Sequence, residues 1–485
     1  MSTAADELEQ GSPQNASEAE IREAFHKQQA RALELRKSTL EERIEKIRRL
    51  RDAVLARREE LQRAGAADYR KPSVEVDLTE IFPILTEVKH TIKHLRKWAR
   101  PRKVRATLPL FGTRSEIRYE PKGVSLIISP WNYPVNLTFC PLVSALAAGC
   151  TAILKPSEMT PNLSRVMVEI VRETFDERDV AIFEGDAQVA STLLDLPFDH
   201  IFFTGSPAVG RIVMAAAAKH LSSVTLELGG KSPTIVDRSA NIRKAARNVV
   251  WGKFTNNGQT CIAHDLLYVE SGVKNAFVAE ATQALHEVFG ATTEEQKRSP
   301  DYCRIVNNRH FERISGLLDD ARERGARTLV GGDTDAGENF IAPTLLEGVD
   351  KDAGIMQEEI FGPILPVIAF DDLDTVIADI NSRPKPLALY VYGKDNDRIE
   401  KILRETSAGG TCINHSMVHY MHNNLPFGGV NNSGIGASHG IYGFREFSHA
   451  RAVLRDRFST SSQLYPPYND KVKKQVNMAL RLFRK

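Results

Sequence analysis

The stretch "GVSLIIS" at 123–129 decides the fold, because it opens a series of short apolar runs separated by helix-length segments. The runs that follow it are "TAILK", "HIFFTGS", "VTLEL" and "PTIVD". Such a series is typical of right-handed βαβ crossovers and a mostly parallel sheet. A second alternating region, roughly 265–400, contains "LLYVE", "RTLVGG" and "LALYVYG" and predicts a second α/β domain. A nucleotide would bind at the carboxyl ends of the first set of strands.

The composition limits the possible functions before any motif is considered. A chain of 485 residues is too long for one core and predicts two or three domains. Its 64 Lys and Arg against 62 Asp and Glu give a net charge of +2, so no overall field favours nucleic acid as a partner. Five cysteines without a repeated spacing argue against a disulfide framework and predict a cytoplasmic protein.

Both ends of the chain have distinctive compositions. Residues 1–18 are acidic and lack an apolar segment, so we expect disorder there rather than a signal peptide. The tail "NDKVKKQVNMALRLFRK" predicts a basic amphipathic helix. Its apolar face would hold Val472, Val476, Ala479, Leu480 and Phe483, with Lys473, Lys474, Arg481 and Arg484 around it. Packing of that face on the body or on a partner subunit is favoured, and contact with an anionic membrane surface stays open.

Cys261, in "NNGQTCIAH", has three possible roles: a small buried hydrophobe, a metal ligand or a nucleophile. A metal site would need further ligands at a recognised spacing, and the nearest candidate, His264, has no accompanying C-x-x-C pair. A lone cysteine is more often an inert buried residue than a catalyst. The assignment of Cys261 therefore depends on other residues.

Two polar residues at strand ends supply that support. Asn132, in "PWNYP", follows the apolar strand "GVSLIIS" and has a side-chain amide that can donate to an oxyanion. Glu227, in "LELGGK", is a carboxylate between two leucines, where desolvation would raise its pKa toward that of a general base. Taken singly, Asn132 is better explained as a turn residue and Glu227 as a solvated charge.

Seven ordered motifs together make the chain resemble the NAD(P)-dependent aldehyde dehydrogenase superfamily over about residues 20–460. They are "PWNYP", "KPSE", "FTGS", "LELGGK", "NNGQTC", "EEIFGP" and "LPFGG". The ending "PFGGVNNSGIGASHGIYGFREFSH" with "YPPY" is most similar to the class 3 branch. The stretch "EIFPILTEVKHTIKHLRKWARPRK" resembles bacterial coniferyl aldehyde dehydrogenases more specifically.

This resemblance implies a catalytic set and a reaction. Cys261 would attack the aldehyde to give a thiohemiacetal, Asn132 would donate to its oxyanion, and Glu227 would activate water to hydrolyse the thioester. The implied substrate is coniferyl or another aromatic aldehyde. A long-chain aliphatic (fatty) aldehyde is the alternative, and a binding protein that kept the fold without turnover is a further one. No metal is implied, and Phe427 would line the site.

The resemblance also implies how NAD, with NADP possible, would be held. Lys155 and Glu158 would reach the adenosine ribose, and Gly205 and Ser206 would bind the pyrophosphate at a helix N-terminus. Glu359 would bind the nicotinamide ribose, with Phe361 as its packing surface. Weaker cofactor candidates are Trp131 and the backbone of Leu228.

The implied fold is α/β, with a Rossmann-like cofactor-binding domain, an α/β catalytic domain and a small β oligomerisation arm. The cofactor-binding domain would comprise 19–104 and 125–226, and the catalytic domain 227–445. The arm and C-terminal tail would comprise 105–124 and 446–485, with "TRSEIRYEP" pairing with the segment near "ARAVLRD". Through the arm we expect a homodimer.

Overall fold

The computed structural model describes residues 15–107, 110–459 and 461–482. The strands are β1 (Arg102–Val104), β2 (Thr113–Pro121), β3 (Val124–Ile128), β4 (Thr151–Lys155), β5 (Val180–Ile182), β6 (His200–Gly205), β7 (Ser223–Leu228), β8 (Pro233–Val236), β9 (Leu266–Glu270), β10 (Arg327–Val330), β11 (Thr334–Asp335), β12 (Phe340–Ile341), β13 (Thr344–Glu347), β14 (Ile364–Phe370), β15 (Ala388–Tyr392), β16 (Gly410–Ile413), β17 (Gly434–Ile435) and β18 (Ser448–Asp456).

The helices cover the faces of the sheets. They are α1 (Glu18–Leu35), α2 (Leu40–Ala56), α3 (Arg58–Tyr69), α4 (Ser73–Val76), α5 (Phe82–Trp98), α6 (Pro134–Ala148), α7 (Pro161–Thr174), α8 (Ala187–Leu194), α9 (Pro207–His220), α10 (Ile242–Phe254), α11 (Ser271–Phe289), α12 (Thr293–Arg298), α13 (Asn308–Glu323), α14 (Gly354–Gln357), α15 (Leu373–Ser382), α16 (Asn396–Glu405), α17 (Gly440–Glu446) and α18 (Asp470–Leu482). A π-helical segment, Asp77–Ile81, joins α4 to α5.

The first sheet has the strand order β17-β7-β6-β3-β4-β5 and is parallel except at β17. Strands β3, β4 and β5 are buried along their whole length because helices cover both faces of the sheet. Strand β17 lies far along the chain, and helix α17 packs against α5 and α6 beside this sheet. Part of the segment predicted as catalytic domain, 227–445, therefore returns to the cofactor-binding sheet.

The second sheet has seven strands in the order β10-β13-β14-β9-β8-β15-β16. All its pairs are parallel except β10 with β13. Two parallel-rich sheets covered by helices confirm the predicted α/β fold class. The carboxyl ends of β3, β6 and β7 carry the predicted site motifs.

A separate three-stranded sheet has the order β1-β2-β18. Strand β18 pairs with β2 antiparallel from Ser448 opposite Pro121 to Asp456 opposite Thr113. These are the two segments that their composition predicts to pair. The sheet also includes β1, which lies just before the predicted arm segment 105–124.

The two chain ends differ from the predictions in detail. Residues 1–14 lie outside the described part, but residues 15–18 are ordered, contrary to the expected disorder through residue 18. Ser17 caps α1 in a capping box with Glu20, and the Asn15 side chain accepts a hydrogen bond from the Asp186 N–H. On α18 only Val472 of the predicted apolar face is buried, while Phe483 and Arg484 fall outside the described residues. Within the described ranges, none of the helices has the length and apolarity to cross a bilayer.

Candidate active site

Cys261 follows a 3-10 turn that aims it into a cavity of about 310 Å³. Asn256, Asn257 and Gly258 all have positive φ, at +52°, +56° and +72°. Asparagine and glycine tolerate this left-handed conformation better than other residues. At Gly258 a side chain is excluded, because a Cβ would lie 2.3 Å from the Gly362 carbonyl oxygen. The local sequence "NNG" thus sets the position of the thiol.

Asn132 lies just beyond strand β3 and is buried beside the same turn. Its Nδ2 donates a hydrogen bond of 3.0 Å to the carbonyl oxygen of Gln259, two residues before Cys261. In turn, the Asn256 Nδ2 donates to the Asn132 carbonyl oxygen at 3.0 Å. An amide nitrogen carries two hydrogens, so Asn132 keeps one donor beyond its bond to Gln259.

Glu227 lies near the end of β7, opposite Gly434 of β17, and its side chain is buried. Neither carboxylate oxygen has a hydrogen-bond partner among the described residues. Burial raises the pKa of Glu227 well above its usual range; the charge of Glu446 raises it further, and the nearby Ser438 offsets only part of this shift. A carboxyl group in this environment is suited to take up a proton near neutral pH.

The thiol of Cys261 is affected by two carboxylates. Burial raises the pKa of Cys261, and the negative charges of Glu359 and then Glu227 raise it further. Burial, with a smaller effect from Asp265, raises the pKa of Glu359 itself to about 8. Glu359 lies against the glycine turn of "LELGGK", where a Cβ on Gly229 would be 2.1 Å from its Oε2. Without ligands, the thiol form of Cys261 is therefore favoured.

The residues predicted to hold the adenosine half of the cofactor lie at the ends of β4 and β6. Lys155 is buried, and its Nζ donates to Glu158 Oε2 at 3.0 Å. Ser206 caps the 14-residue helix α9, accepting from the Val209 N–H at 3.3 Å, and Gly205 directly precedes it. The buried Thr204 hydroxyl has no partner among the described residues. A free hydroxyl, a helix N-terminus and a Lys–Glu pair fit the ribose and phosphate groups of NAD or NADP.

The residues predicted near the nicotinamide also lie together. The ring of Trp131 lies 5.4 Å from that of Phe361, edge to face. Phe361 has a φ of +48°, so the "EEIFGP" segment turns sharply at this ring. The backbone N–H of Leu228 donates to the Ser433 carbonyl oxygen at 3.0 Å, which joins the end of β7 to the residue just before β17.

The cavity lining corrects one prediction. Phe427 does not line the cavity; its ring packs 4.8 Å from that of Tyr420, which does. Several lining residues lie outside the site motifs and were not predicted from the sequence, namely Glu75, Thr79, Asn136, Trp251, Met417 and Tyr420. Tyr133 is an exception, since it follows Asn132 directly in "PWNYP".

Cys140, Cys150 and His264 have local hydrogen-bond partners. Cys140 donates to Asn136 Oδ1 at 3.1 Å, and Cys150 donates to the Phe447 carbonyl oxygen at 3.3 Å. His264 is buried between the hydroxyl groups of Thr234 and Ser416, and burial lowers the pKa of its imidazole to about 3. In the described ranges, His, Cys, Asp and Glu form no group that could hold a metal.

Comparison with known proteins gives the family. A model described as "Aldehyde dehydrogenase family" matches residues 2–453. The chain is 43% identical to a 4,4'-diaponeurosporen-aldehyde dehydrogenase of Staphylococcus aureus, over 93% of this chain and 95% of that protein. It is 39% identical to a protein of Caulobacter vibrioides named as a probable coniferyl aldehyde dehydrogenase, over 95% and 97%. It is 40% identical to the dimeric NADP-preferring aldehyde dehydrogenase of Canis lupus familiaris, over 88% and 93%.

Solved structures agree with these relatives. The substrate-bound state of Staphylococcus aureus AldH superposes with a TM-score of 0.90 at 41% identity, covering 94% of this chain and 99% of that one. A Mycobacterium tuberculosis aldehyde dehydrogenase complexed with NAD⁺ gives a TM-score of 0.83 at 27% identity, with 92% of each chain covered. The predicted resemblance is confirmed: the chain belongs to the aldehyde dehydrogenase family, whose members are oxidoreductases that act on aldehydes with NAD or NADP.

Proposed function

We propose that this protein oxidises an aromatic aldehyde such as coniferyl aldehyde to its carboxylic acid, with Cys261 as nucleophile. The observation that carries the proposal is the convergence of two groups, an amide and a carboxylate, on one thiol. Asn132 reaches the residues just before Cys261, and the charge of Glu227 acts on the thiol itself. Nucleophile, oxyanion donor and base are the groups that acyl transfer through a thioester requires.

The first step begins with the thiol, because burial and the neighbouring carboxylates disfavour the thiolate. As the sulfur bonds to the aldehyde carbon, its proton passes to a carboxylate base, for which Glu227 is suited. The carbonyl oxygen becomes an oxyanion and accepts hydrogen bonds from Asn132 Nδ2 and the Cys261 N–H. Asn132 gives up its bond to Gln259 or uses its second hydrogen for this purpose.

The second half of the reaction restores the thiol. When bound, NAD or NADP supplies the acceptor for the hydride that leaves the former aldehyde carbon. Glu227 first releases to solvent the proton that it took from the thiol. Water then attacks the thioester carbon and gives a proton to Glu227, the C–S bond breaks to release the acid, and Glu227 returns that proton to the sulfur. Within the described part of the chain neither carboxylate oxygen of Glu227 accepts a hydrogen bond, so both are free to accept from that water.

For cofactor binding we propose the roles that the motifs suggest. Lys155 and Glu158 bind the adenosine ribose, and Gly205 and Ser206 meet the pyrophosphate at the start of α9. Glu359 would hold the nicotinamide ribose. Trp131, Phe361 and the backbone of Leu228 would help to hold the nicotinamide ring. The choice between NAD and NADP rests on the carboxylate of Glu158, which favours a free 2′-hydroxyl.

The substrate class rests on the cavity beside Cys261. Its lining is mostly apolar, and aromatic rings from Tyr133, Trp251 and Tyr420 suit a planar aromatic aldehyde. A relative named for coniferyl aldehyde supports this choice. A long-chain aliphatic aldehyde is the second candidate, since the lining also includes Val74, Leu78, Leu137 and Ile262.

The assembly and location are also proposals. We infer a homodimer that pairs through the arm, a cofactor-binding domain at 19–104 and 125–226, and a catalytic domain at 227–445. The absence of a disulfide pattern among five cysteines supports a cytoplasmic location. For the exposed α18, with Lys473, Lys474 and Arg481, we favour packing on a partner subunit over contact with anionic membrane surfaces.

The test measures the formation of reduced nicotinamide by its absorbance. The substrates are coniferyl aldehyde, benzaldehyde and decanal, each with NAD and with NADP. Wild-type turnover that disappears in Cys261→Ala is the expected result. Cys412→Ala is the matched control, because Cys412 lies on β16 outside the proposed machinery, and its activity should be retained. A folded wild-type protein that binds NAD but turns over no aldehyde would favour the non-catalytic alternative.

A further inference from the structure

Glu75 lies in the cavity that Cys261 lines, yet the proposed mechanism gives it no role. It belongs to α4, just before the π-helical segment, which places Leu78 and Thr79 in the same lining. Around it the lining is mostly apolar, with Pro72, Val74 and Pro83 close in sequence. In the described lining the other acidic side chain is Asp301, which is exposed.

The carboxylate of Glu75 has little hydrogen bonding of its own. The Cys303 thiol lies 3.7 Å and 3.8 Å from its two oxygens, and a thiol is a weak donor. The Asn256 N–H is a second neighbour. The nearest cation, Lys71, is already used, because its Nζ donates to Glu80 Oε1 at 3.1 Å and to the Asn132 carbonyl oxygen at 3.4 Å. A carboxylate can accept about four hydrogen bonds, so Glu75 retains acceptor capacity.

Tyr133 connects Glu75 to the reactive thiol. Its hydroxyl bonds to Thr260 Oγ1 at 2.7 Å, beside Cys261. Burial raises the pKa of Tyr133, and the charges of Glu75 and Cys261 both add to that shift. Glu75, Tyr133 and Cys261 all line the same cavity, so an aldehyde bound at Cys261 shares that cavity with the carboxylate of Glu75.

We propose that Glu75 determines substrate specificity by accepting a hydrogen bond from a hydroxyl group remote from the aldehyde. It would thereby select hydroxyaryl aldehydes over alkyl aldehydes of similar size. The inference rests on the proposed function and refines its substrate class. An alkyl chain would desolvate Glu75 and return no hydrogen bond, whereas a hydroxyl group replaces the water that the carboxylate loses.

The experiment compares kcat/KM for 4-hydroxycinnamaldehyde and 4-methylcinnamaldehyde. The two aldehydes differ only at the para position, where one has a hydroxyl group and the other a methyl group of similar size. Because the intrinsic reactivity of the two aldehydes is the same for every variant, the change in their ratio isolates the contribution of Glu75. We expect Glu75→Met to lower the hydroxyl-to-methyl ratio by about 10- to 100-fold relative to wild type. Glu75→Gln keeps a neutral acceptor and should lower it by several-fold.

Asp301→Asn is the matched control, since it neutralises the other acidic residue of the lining and should leave the ratio at its wild-type value. An unchanged ratio in either folded Glu75 variant would overturn the proposal, and Glu75→Gln decides the matter if Glu75→Met does not fold. Oxidation of 4-methylcinnamaldehyde and decanal is followed in parallel. If these are oxidised while the ratio stays constant, the inference fails and the proposed function stands. If wild type oxidises no aldehyde, both fail.

Discussion

At the scale of single residues, Glu359 and Glu227 raise the pKa of the Cys261 thiol. Their charges favour the protonated form of Cys261, which is the less nucleophilic form. This arrangement limits side reactions of Cys261 with electrophiles when no substrate is bound. Reactivity then depends on moving Glu359 or on transferring the proton during attack.

Neutralising Glu359 should make the free thiol more reactive. Glu359→Gln removes the larger of the two charge effects on Cys261, so we expect its pKa to fall by about one unit. The measurement is the pH dependence of iodoacetamide alkylation at Cys261 without cofactor, which should shift to lower pH. Glu358→Gln, a change at the exposed neighbour, is the control and should not shift it. An unshifted profile in Glu359→Gln would show that burial alone holds the proton.

The buried carboxyl group of Glu227 should lower the free energy of unfolding at neutral and higher pH, which is a cost of the base role proposed for it. Its folded pKa is raised above the ordinary value of 4.5, so the folded protein holds a proton that the unfolded chain releases. This contribution to stability is complete below about pH 4.5 and is lost as pH rises toward the folded pKa. We expect Glu227→Gln to lower kcat by about 10²- to 10⁴-fold and to raise Tm, more at pH 8 than at pH 5.5. A Tm difference that is equal at both pH values would contradict this assignment.

At the scale of elements, the segment from α4 through the π-helical segment to α5 lines part of the cavity. Its Glu80 and the preceding Lys71 form an ion pair with both side chains fully buried. Glu80 also accepts from the Asn136 N–H at 2.9 Å at the start of α6, and Lys71 donates to the Asn132 carbonyl oxygen. This one pair thus connects three segments that carry the site.

Removing one member of the pair should be costly. Lys71→Met leaves Glu80 buried without a counter-ion, and we expect the free energy of unfolding to fall by about 3–5 kcal/mol at neutral pH. The double variant Lys71→Met with Glu80→Gln removes the uncompensated charge and should recover part of this loss. Urea denaturation followed by fluorescence measures both. If the double variant is no more stable than the single one, packing rather than charge dominates at Lys71.

The sequence predicted the elements whose signals are local. Strands β3, β4, β6, β7, β8, β9, β10 and β15 all correspond to apolar runs in the sequence. Two-residue strands such as β17 are too short to show a periodic pattern in the sequence. The position of α17 beside the first sheet depends on tertiary packing between distant segments. The motifs likewise point to Cys261, Asn132 and Glu227 as the proposed catalytic set. Glu75 and Tyr420 were missed because a cavity lining is assembled by packing from distant segments.

At the scale of the whole molecule, the arm has features of an interface. Strand β18 is an edge strand of nine residues, and its side chains are mostly exposed. Natural proteins seldom leave so long an edge without covering it. Leu454 and Phe458 are exposed large apolar residues on and just after this strand. A second copy of the chain would cover both.

A charge on the arm should therefore weaken the proposed dimer. We expect Leu454→Lys to shift the protein toward the monomer, because the new charge would have to be buried against the partner subunit. Size-exclusion chromatography with light scattering gives the mass directly. Leu33→Lys is the control, since Leu33 is an exposed leucine of α1, outside the arm, and its substitution should leave the mass unchanged. Equal masses for wild type and Leu454→Lys would place the contact elsewhere.

The pairing of Glu227 with Gly434 also bears on synthesis. The edge of the first sheet beside Glu227 is completed by a strand that leaves the ribosome only when most of the chain has been made. Contacts between such distant residues form slowly because a long loop must close first. A nascent or truncated chain that ends before residue 434 would thus have its cysteine but not its finished site. Catalytic competence is acquired late, after nearly the whole polypeptide has been translated.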